Sequence, residues 1–246
     1  MKRMWEIKQR AENPNILELY IYGDVEADYF DWWKWEQVES ETSADYFRQT
    51  LNENPDVSEI HIYINSYGGS VFEGTAIYSQ LKRHPAKKVV HVDGFACSVA
   101  SVIAMAGDEI IMPRNALMMI HNMWRSAVGN ASQLRKAADD LEVINAAGRQ
   151  AYLQKAGIKL SEDRLAEMMD AETWLTAQQC IDLGLADKLA DQDADMTKAN
   201  EILQKANLGL EQRINAEKGL AAQLRQLYQP EQKKTEQENP ILKMFI

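Results

Sequence analysis

Residues 89–109, VVHVDGFACSVASVIAMAGDE, constrain the chain more than any other stretch, because a serine stands where a strand gives way to a helix. Val89, Val90 and Val92 are β-branched and follow the breaker Arg83-His84-Pro85, which predicts a short buried strand. Gly94 is expected to break that strand. Residues 99–106 are small and apolar and are closed by Gly107, a length that suits two turns of buried helix. Ser98 then falls at a helix N-terminus, where the first amide N–H groups have no intrahelical partner and the dipole is positive. An oxyanion forming on an acyl group held against the serine would be stabilised there. The logic is that of a nucleophile elbow without the G-x-S-x-G sequence. The other reading, and the commoner one for this stretch alone, is a serine N-cap on a core helix.

The same unit recurs along the chain. Residues 16–22, ILELYIY, read as a strand ended by Gly23-Asp24, and an aromatic cluster of Tyr29, Phe30, Trp32, Trp33 and Trp35 follows. Such a cluster suits either a partner surface or packing against the protein's own core or a sister subunit. Thr42 or Ser43 is expected to cap a helix through Leu51. Residues 60–64, IHIYI, predict a second strand leading into Asn65-Ser66-Tyr67-Gly68-Gly69-Ser70 and a helix over 71–81. Two glycines there allow close approach of the backbone to a ligand, or mark a plain tight turn. After the Ser98 unit come a strand at 110–112, a turn at Pro113-Arg114-Asn115, and a strand at 116–120 that ends at His121. Strand, helix, strand units of this length predict a parallel sheet flanked by helices, with functional groups at the carboxyl ends of the strands. Gly68-Gly69, Ser98 and His121 each lie at such an end. His61, His91 and His84 read as structural, whereas His121 precedes an irregular stretch and is placed to act as a general base for a serine.

A long helix is expected over 132–153, with Leu134, Leu141, Ile144 and Ala151 on one stripe and Gly157 as its stop. Ser161 caps a short helix that ends beside Asp170 and Glu172, either of which is a candidate acid or a solvated surface group. Residues 177–189 read as a helix stopped at Gly184, then a turn back to the body.

The net charge of −10 and the lack of a basic block argue against nucleic-acid binding by phosphate neutralisation. Cys97 and Cys180 make neither a disulfide framework nor a metal spacing, so no metal or other cofactor is expected and a reducing compartment is. No secretory signal is read at the N-terminus, and the longest nearly uncharged run, 95–107, falls short of the ~18 residues of a membrane span. A cytoplasmic protein is the expectation. From Asp191 onward the composition shifts to Gln, Lys, Glu, Asn and Ala, with nine acidic and eight basic residues, so the body carries nearly all of the net charge. Leu203, Ala206, Leu210, Ile214, Glu217, Leu220, Leu224 and Leu227 approximate an amphipathic seam, and the segment after Pro230 reads as a polar leash with an apolar tip.

Four motifs, Ile64-Asn65-Ser66-Tyr67-Gly68-Gly69-Ser70-Val71, Gly94-Phe95-Ala96-Cys97-Ser98-Val99-Ala100, Met119-Ile120-His121, and Glu172-Thr173-Trp174-Leu175-Thr176-Ala177 with Gly184-Leu185-Ala186-Asp187, stand in order and spacing that resemble the proteolytic subunit of the Clp protease family, in particular its phage and prophage head-maturation branch. The resemblance covers about residues 19–189. It implies an α/β spiral of β/α units of the Clp peptidase and crotonase type with a protruding handle helix, here with a helical C-terminal tail. The implied organisation is an N-terminal segment (1–15), a peptidase domain (16–190), an amphipathic helical extension (191–229) and a flexible tail (230–246). It implies a serine endopeptidase with Ser98 as nucleophile, His121 as base, Glu172 as acid with Asp170 as fallback, and the Gly69 and Val99 N–H groups as the oxyanion hole. Polypeptide substrates, capsid or scaffold proteins among them, and a homo-oligomeric ring or stacked rings joined through residues 132–153 follow from the same resemblance. Tyr67 stands where the family commonly has Pro, Glu172 where it usually has Asp. The family's N-terminal axial segment has no recognisable counterpart, so dependence on an unfoldase ATPase is not expected. Two other readings are a crotonase-type acyl-CoA enzyme and a catalytically inactive ring or scaffold subunit.

Overall fold

The computed structural model describes residues 8–9, 15–33 and 35–193, so the expectations for the tail and for most of residues 1–15 fall outside the described residues. In chain order the elements are β1 (Lys8–Gln9), β2 (Ile16–Val25), β3 (Tyr29–Asp31), β4 (Glu36–Val38), α1 (Ala44–Glu53), β5 (Glu59–Gly69), α2 (Val71–Arg83), β6 (Lys87–Cys97), α3 (Val99–Ala104), β7 (Glu109–Met112), β8 (Leu117–Ile120), α4 (Ala131–Ala156), α5 (Glu162–Asp170), β9 (Thr173–Thr176), α6 (Ala177–Asp182) and β10 (Lys188–Leu189).

The main sheet has eight strands in the order β1-β2-β5-β6-β7-β10, with β8 branching from β6 and β9 pairing β8. Pairing is parallel from β2 through β10, as the repeated strand and helix units predict, and antiparallel only for β1 on β2 and β9 on β8. Period-two alternation sends Leu17, Leu19, Ile21, Ile60, Ile62, Ile64, Val90 and Val92 to one face, each at most 2% exposed. Helix α3, every residue of which is buried, packs on β5 and β6, with α2 on α3 and α1 on α2. The opposite face carries a half-buried stack of Tyr20, Tyr63, His91 and His61, in which His61 Nδ1 lies 2.9 Å from His91 Nε2.

Two glycines read as strand stops prove to be irregularities inside strands. β2 runs on through Gly23 and Asp24, its register against β5 shifting between Tyr22 and Asp24. β6 likewise runs through Gly94 to Cys97, and its register against β5 jumps from Ile64↔Val92 to Ser66↔Ala96. A glycine inside a strand commonly marks such a bulge. Here it marks the place where β6 leaves β7, its partner at 89–91, and takes β8, its partner at 95–97. The bulge therefore delivers β6's carboxyl end to β8 and the histidine that follows.

The aromatic cluster is not part of the chain's own core. It forms the small β3–β4 hairpin, and Trp32, Trp33 and Trp35 are 73, 100 and 74% exposed. The long helix, expected over 132–153, runs from Ala131 to Ala156, opened by an Asn130 capping box and stopped at Gly157 as expected, but the stripe is buried only toward its C-terminal end: Leu134 is 45% exposed, while Asn145, Ala151, Tyr152 and Ala156 are buried. Residues 173–176, to which the sequence assigns no element, form β9. The helix that begins at Ala177 stops before Gly184 as expected, ending at Asp182, and Gly184 at φ 76° begins the turn into β10.

Candidate active site

Ser98 closes the β6 to α3 turn. Its own N–H donates to the Met119 carbonyl at 2.9 Å, which ties the turn to β8. A serine N-cap has extended backbone and offers its oxygen to the first-turn amides. Ser98 instead has φ 54° and ψ −131°, and its side chain makes no capping bond. That region of backbone space is nearly reserved for glycine and costs another residue about 1–3 kcal/mol. The N-cap reading therefore fails for the side chain, and the hydroxyl is directed elsewhere: Oγ lies 2.7 Å from His121 Nε2.

His121 directly follows β8. The antiparallel β8–β9 ladder ends with the pair Ile120 and Thr173, so His121 and Glu172 are the residues that directly adjoin its last pair. Glu172 also has a left-handed backbone, φ 49°, at the junction of α5 and β9. Burial pushes the His121 imidazole below its usual pKa range, while the nearby Glu172 carboxylate and a bond to the Asn122 main chain pull it back up. The net direction keeps the ring neutral near pH 7, as a proton acceptor must be. With Ser98 donating to Nε2, the ring proton sits on Nδ1. Asp170, the last residue of α5, is engaged differently: its Oδ1 accepts from Asn122 Nδ2 at 2.5 Å.

The Gly68-Gly69 turn abuts the same serine. A Cβ on Gly68, at φ 103°, would lie 2.7 Å from Ser98 Cβ and 2.9 Å from the Cys97 carbonyl oxygen, and one on Gly69, at φ 144°, would lie 2.2 Å from the Val25 carbonyl oxygen. Only glycine lets the two backbones meet. The turn is braced on both sides of Gly69, since the Gly68 N–H donates to Ser66 Oγ at 3.0 Å and the Ser70 N–H to the Val25 carbonyl at 2.7 Å. Val99, whose amide belongs to the first turn of α3, follows Ser98 directly.

Four groups escaped sequence reasoning. Tyr67, Phe95 and Trp174 form a ring cluster with centroids 5.3 to 6.3 Å apart, and Trp174 remains half exposed. The Ser66 hydroxyl braces the glycine turn by donating to the Gly23 carbonyl at 2.5 Å. Asn145, buried on α4, accepts the Met123 N–H at 2.8 Å, just beyond His121. Ser101 and Tyr152 share a buried bond of 2.7 Å beneath Ser98. Buried polar residues in otherwise apolar helix faces were the available signal for Asn145 and Ser101. The remaining histidines stand apart from Ser98, with His84 bonded to the main chain of Asn54 and Ala86. Among the described residues no group of three or more His, Cys, Asp or Glu is placed to hold a metal ion, and no helix is long and apolar enough to cross a membrane. Cys97 and Cys180 are buried thiols, both pushed up to about 12 by desolvation.

The sequence model described as Clp protease matches residues 35–193. Among curated proteins the chain is similar to the ATP-dependent Clp protease proteolytic subunit 3 of Rhodococcus jostii, 30% identical over 140 residues covering 56% of this chain and 68% of that one. It is likewise similar to the ATP-dependent Clp protease proteolytic subunit of Deinococcus radiodurans, 30% identical over 161 residues covering 63% and 77% respectively. The same-named subunit of Ligilactobacillus salivarius is 33% identical over 132 residues covering 52% and 66%.

Proposed function

The chain belongs to the Clp protease family of serine peptidases, and on that premise we propose that it hydrolyses peptide bonds with Ser98 as nucleophile, His121 as general base and Glu172 as the acid. The observation that carries the assignment is the 2.7 Å separation of Ser98 Oγ and His121 Nε2 on a backbone strained toward that contact. In the first step Oγ attacks the scissile carbonyl while its proton passes to Nε2. The Gly69 and Val99 N–H groups stabilise the oxyanion, and the imidazolium is stabilised by Glu172. His121 then returns the proton to the leaving amine, and a water activated by the same nitrogen hydrolyses the acyl-enzyme. Glu172 is preferred to Asp170 because it acts electrostatically on His121, whereas Asp170 is bonded to Asn122. The ring cluster of Tyr67, Phe95 and Trp174, buried at Phe95 and half exposed at Trp174, supplies an apolar surface for a substrate side chain.

Labelling with an alkyl fluorophosphonate tests the reading. The modified peptide carries Ser98, and His121→Ala abolishes the modification; a folded protein that stays unlabelled overturns the assignment. The finer reading is a head-maturation enzyme working in the cytoplasm as a ring or stacked rings, acting on capsid or scaffold polypeptides without an unfoldase ATPase. It is supported by the four-motif resemblance and by the largely unburied N-terminal half of α4, a face suited to meeting another subunit. Co-expression with such capsid and scaffold polypeptides yields new termini with the wild type and none with Ser98→Ala. Sedimentation of the purified protein as a monomer counts against the ring.

A further inference from the structure

Beneath the strained serine lies a polar chain that the proposed chemistry does not use. Ser101 sits in the middle of α3 and is fully buried, and Tyr152, on the buried end of α4, is 1% exposed. The Ser101 hydroxyl lies 2.5 Å from the Ser98 carbonyl oxygen, 3.4 Å from the Met119 carbonyl oxygen and 2.7 Å from the Tyr152 hydroxyl. A hydroxyl has one proton, and a carbonyl can only accept. The short bond to the Ser98 carbonyl therefore takes the Ser101 proton, and Tyr152 is left as the donor to Ser101 Oγ. The order is fixed: Tyr152 O–H to Ser101 Oγ, Ser101 O–H to Ser98 C=O.

That carbonyl belongs to the one residue of the turn whose backbone is held away from its preferred region, and the Ser98 N–H is already bonded to Met119. With its N–H and C=O both fixed, the peptide units flanking Ser98 have no freedom to relax, and Oγ stays on His121. The face of α4 that carries Tyr152 also carries Asn145 two turns earlier, whose Oδ1 holds the Met123 N–H just past His121. One helix face thus grips both partners of the Ser98–His121 contact.

The geometry points to Tyr152, acting through Ser101, as a positioning residue that holds Ser98 in its reactive backbone conformation. Buried hydrogen-bonded hydroxyls of this kind rigidify what they join, and a loss of alignment at a nucleophile lowers the rate of attack rather than the affinity for what it attacks.

The inference rests on Ser98 being the nucleophile, and the experiment separates the two. The full chain is titrated with an alkyl fluorophosphonate, and the maximal labelling rate and the half-saturating concentration are measured at a temperature where every variant is folded. Tyr152→Phe keeps the ring and removes only the hydroxyl. Its maximal rate is expected to fall about tenfold with the half-saturating concentration unchanged, a split that a general loss of stability does not produce. Ser101→Ala falls at least as far, and the double variant falls no further than Ser101→Ala, since both act through one bond. A wild type that labels at Ser98 and a Tyr152→Phe variant that labels at the same rate overturn the positioning role alone. Rate losses that multiply in the double variant overturn the relay. A folded wild type that does not label overturns the serine-peptidase reading and the positioning role with it.

Discussion

The turns from β5 into α2 and from β6 into α3 are built from the same parts and use their serine in opposite ways. Each takes a parallel strand into a helix, and each places a serine immediately before the first helical residue. At the first turn two glycines precede the serine and take the unusual backbone, with φ 103° and 144°. Ser70 is then left at φ −64° and ψ 117°, where its hydroxyl accepts the Glu73 N–H as an ordinary N-cap. At the second turn the residue before the serine is Cys97, with no glycine beside it, and the serine itself takes the positive φ. Its hydroxyl is released from capping and reaches His121 instead. Which residue of the turn carries the backbone strain decides whether the serine serves the helix or the chemistry.

The largest effect that tests this contrast comes from Ser98→Gly. The nucleophilic hydroxyl is lost, so activity falls by about 10^4-fold or more, and the strain vanishes with the side chain, so stability rises by about 1 kcal/mol. Ser98→Ala is equally inactive but gains no such stability, because alanine inherits φ 54°. Thermal melts of the two proteins side by side decide it, and equal melting temperatures would show that the turn is not strained by its serine. Next in size is Gly68→Ala. A methyl group 2.7 Å from Ser98 Cβ must push the two turns apart, so turnover is expected to fall by about 10^2-fold and stability by about 2–3 kcal/mol. Near-normal activity in that variant would mean that the turns do not need their close approach.

Glu172→Gln and Asp170→Asn separate the two acids. The first is expected to lower kcat by about 10^2 to 10^4-fold, the second by no more than about threefold, measured on one peptide substrate. The pH profile of kcat/KM sharpens the same point. Burial lowers the His121 pKa, so the acid limb lies below the ordinary imidazole range and activity rises with pH until the ring is neutral. Because Glu172 pulls that pKa upward, its removal moves the limb to still lower pH; a limb that moves instead in Asp170→Asn would reverse the assignment.

How much of this was legible in advance follows from how local each signal is. The strands at 60–64, 89–92 and 116–120, a cap at Thr42 or Ser43, the cap Ser161 and the position of Ser98 at a helix start were all readable, because each depends on neighbours within a few residues. Gly23 and Gly94 were misread as stops, since a glycine that ends a strand and one that bulges it look alike until the partner strand is known. β9 was missed because its register is supplied by β8, more than fifty residues earlier, and only Leu175 of its four residues is buried. The Ser98 to His121 pair was legible as two strand ends, but the means that fixes it was not. Ser101 and Tyr152 are 51 positions apart, and neither shows a periodicity that names the other.

The smallest expected effect completes the comparison. Ser70→Ala removes a cap whose bond to the Glu73 amide is long, 3.4 Å, from a helix that packs against the wall behind Ser98. The loss should be about 0.5–1 kcal/mol of stability, read from a denaturant midpoint, with activity within about twofold of wild type. The reason activity survives is that Ser70's backbone, unlike Ser98's, needs nothing from its side chain to hold its place: the N–H is bonded to the Val25 carbonyl and the two glycines absorb the turn. If Ser70→Ala were to reduce the maximal rate of fluorophosphonate labelling as strongly as Tyr152→Phe, strain at the first turn would have to be transmitted through Gly68 to Ser98, and the two serines would be one device rather than two.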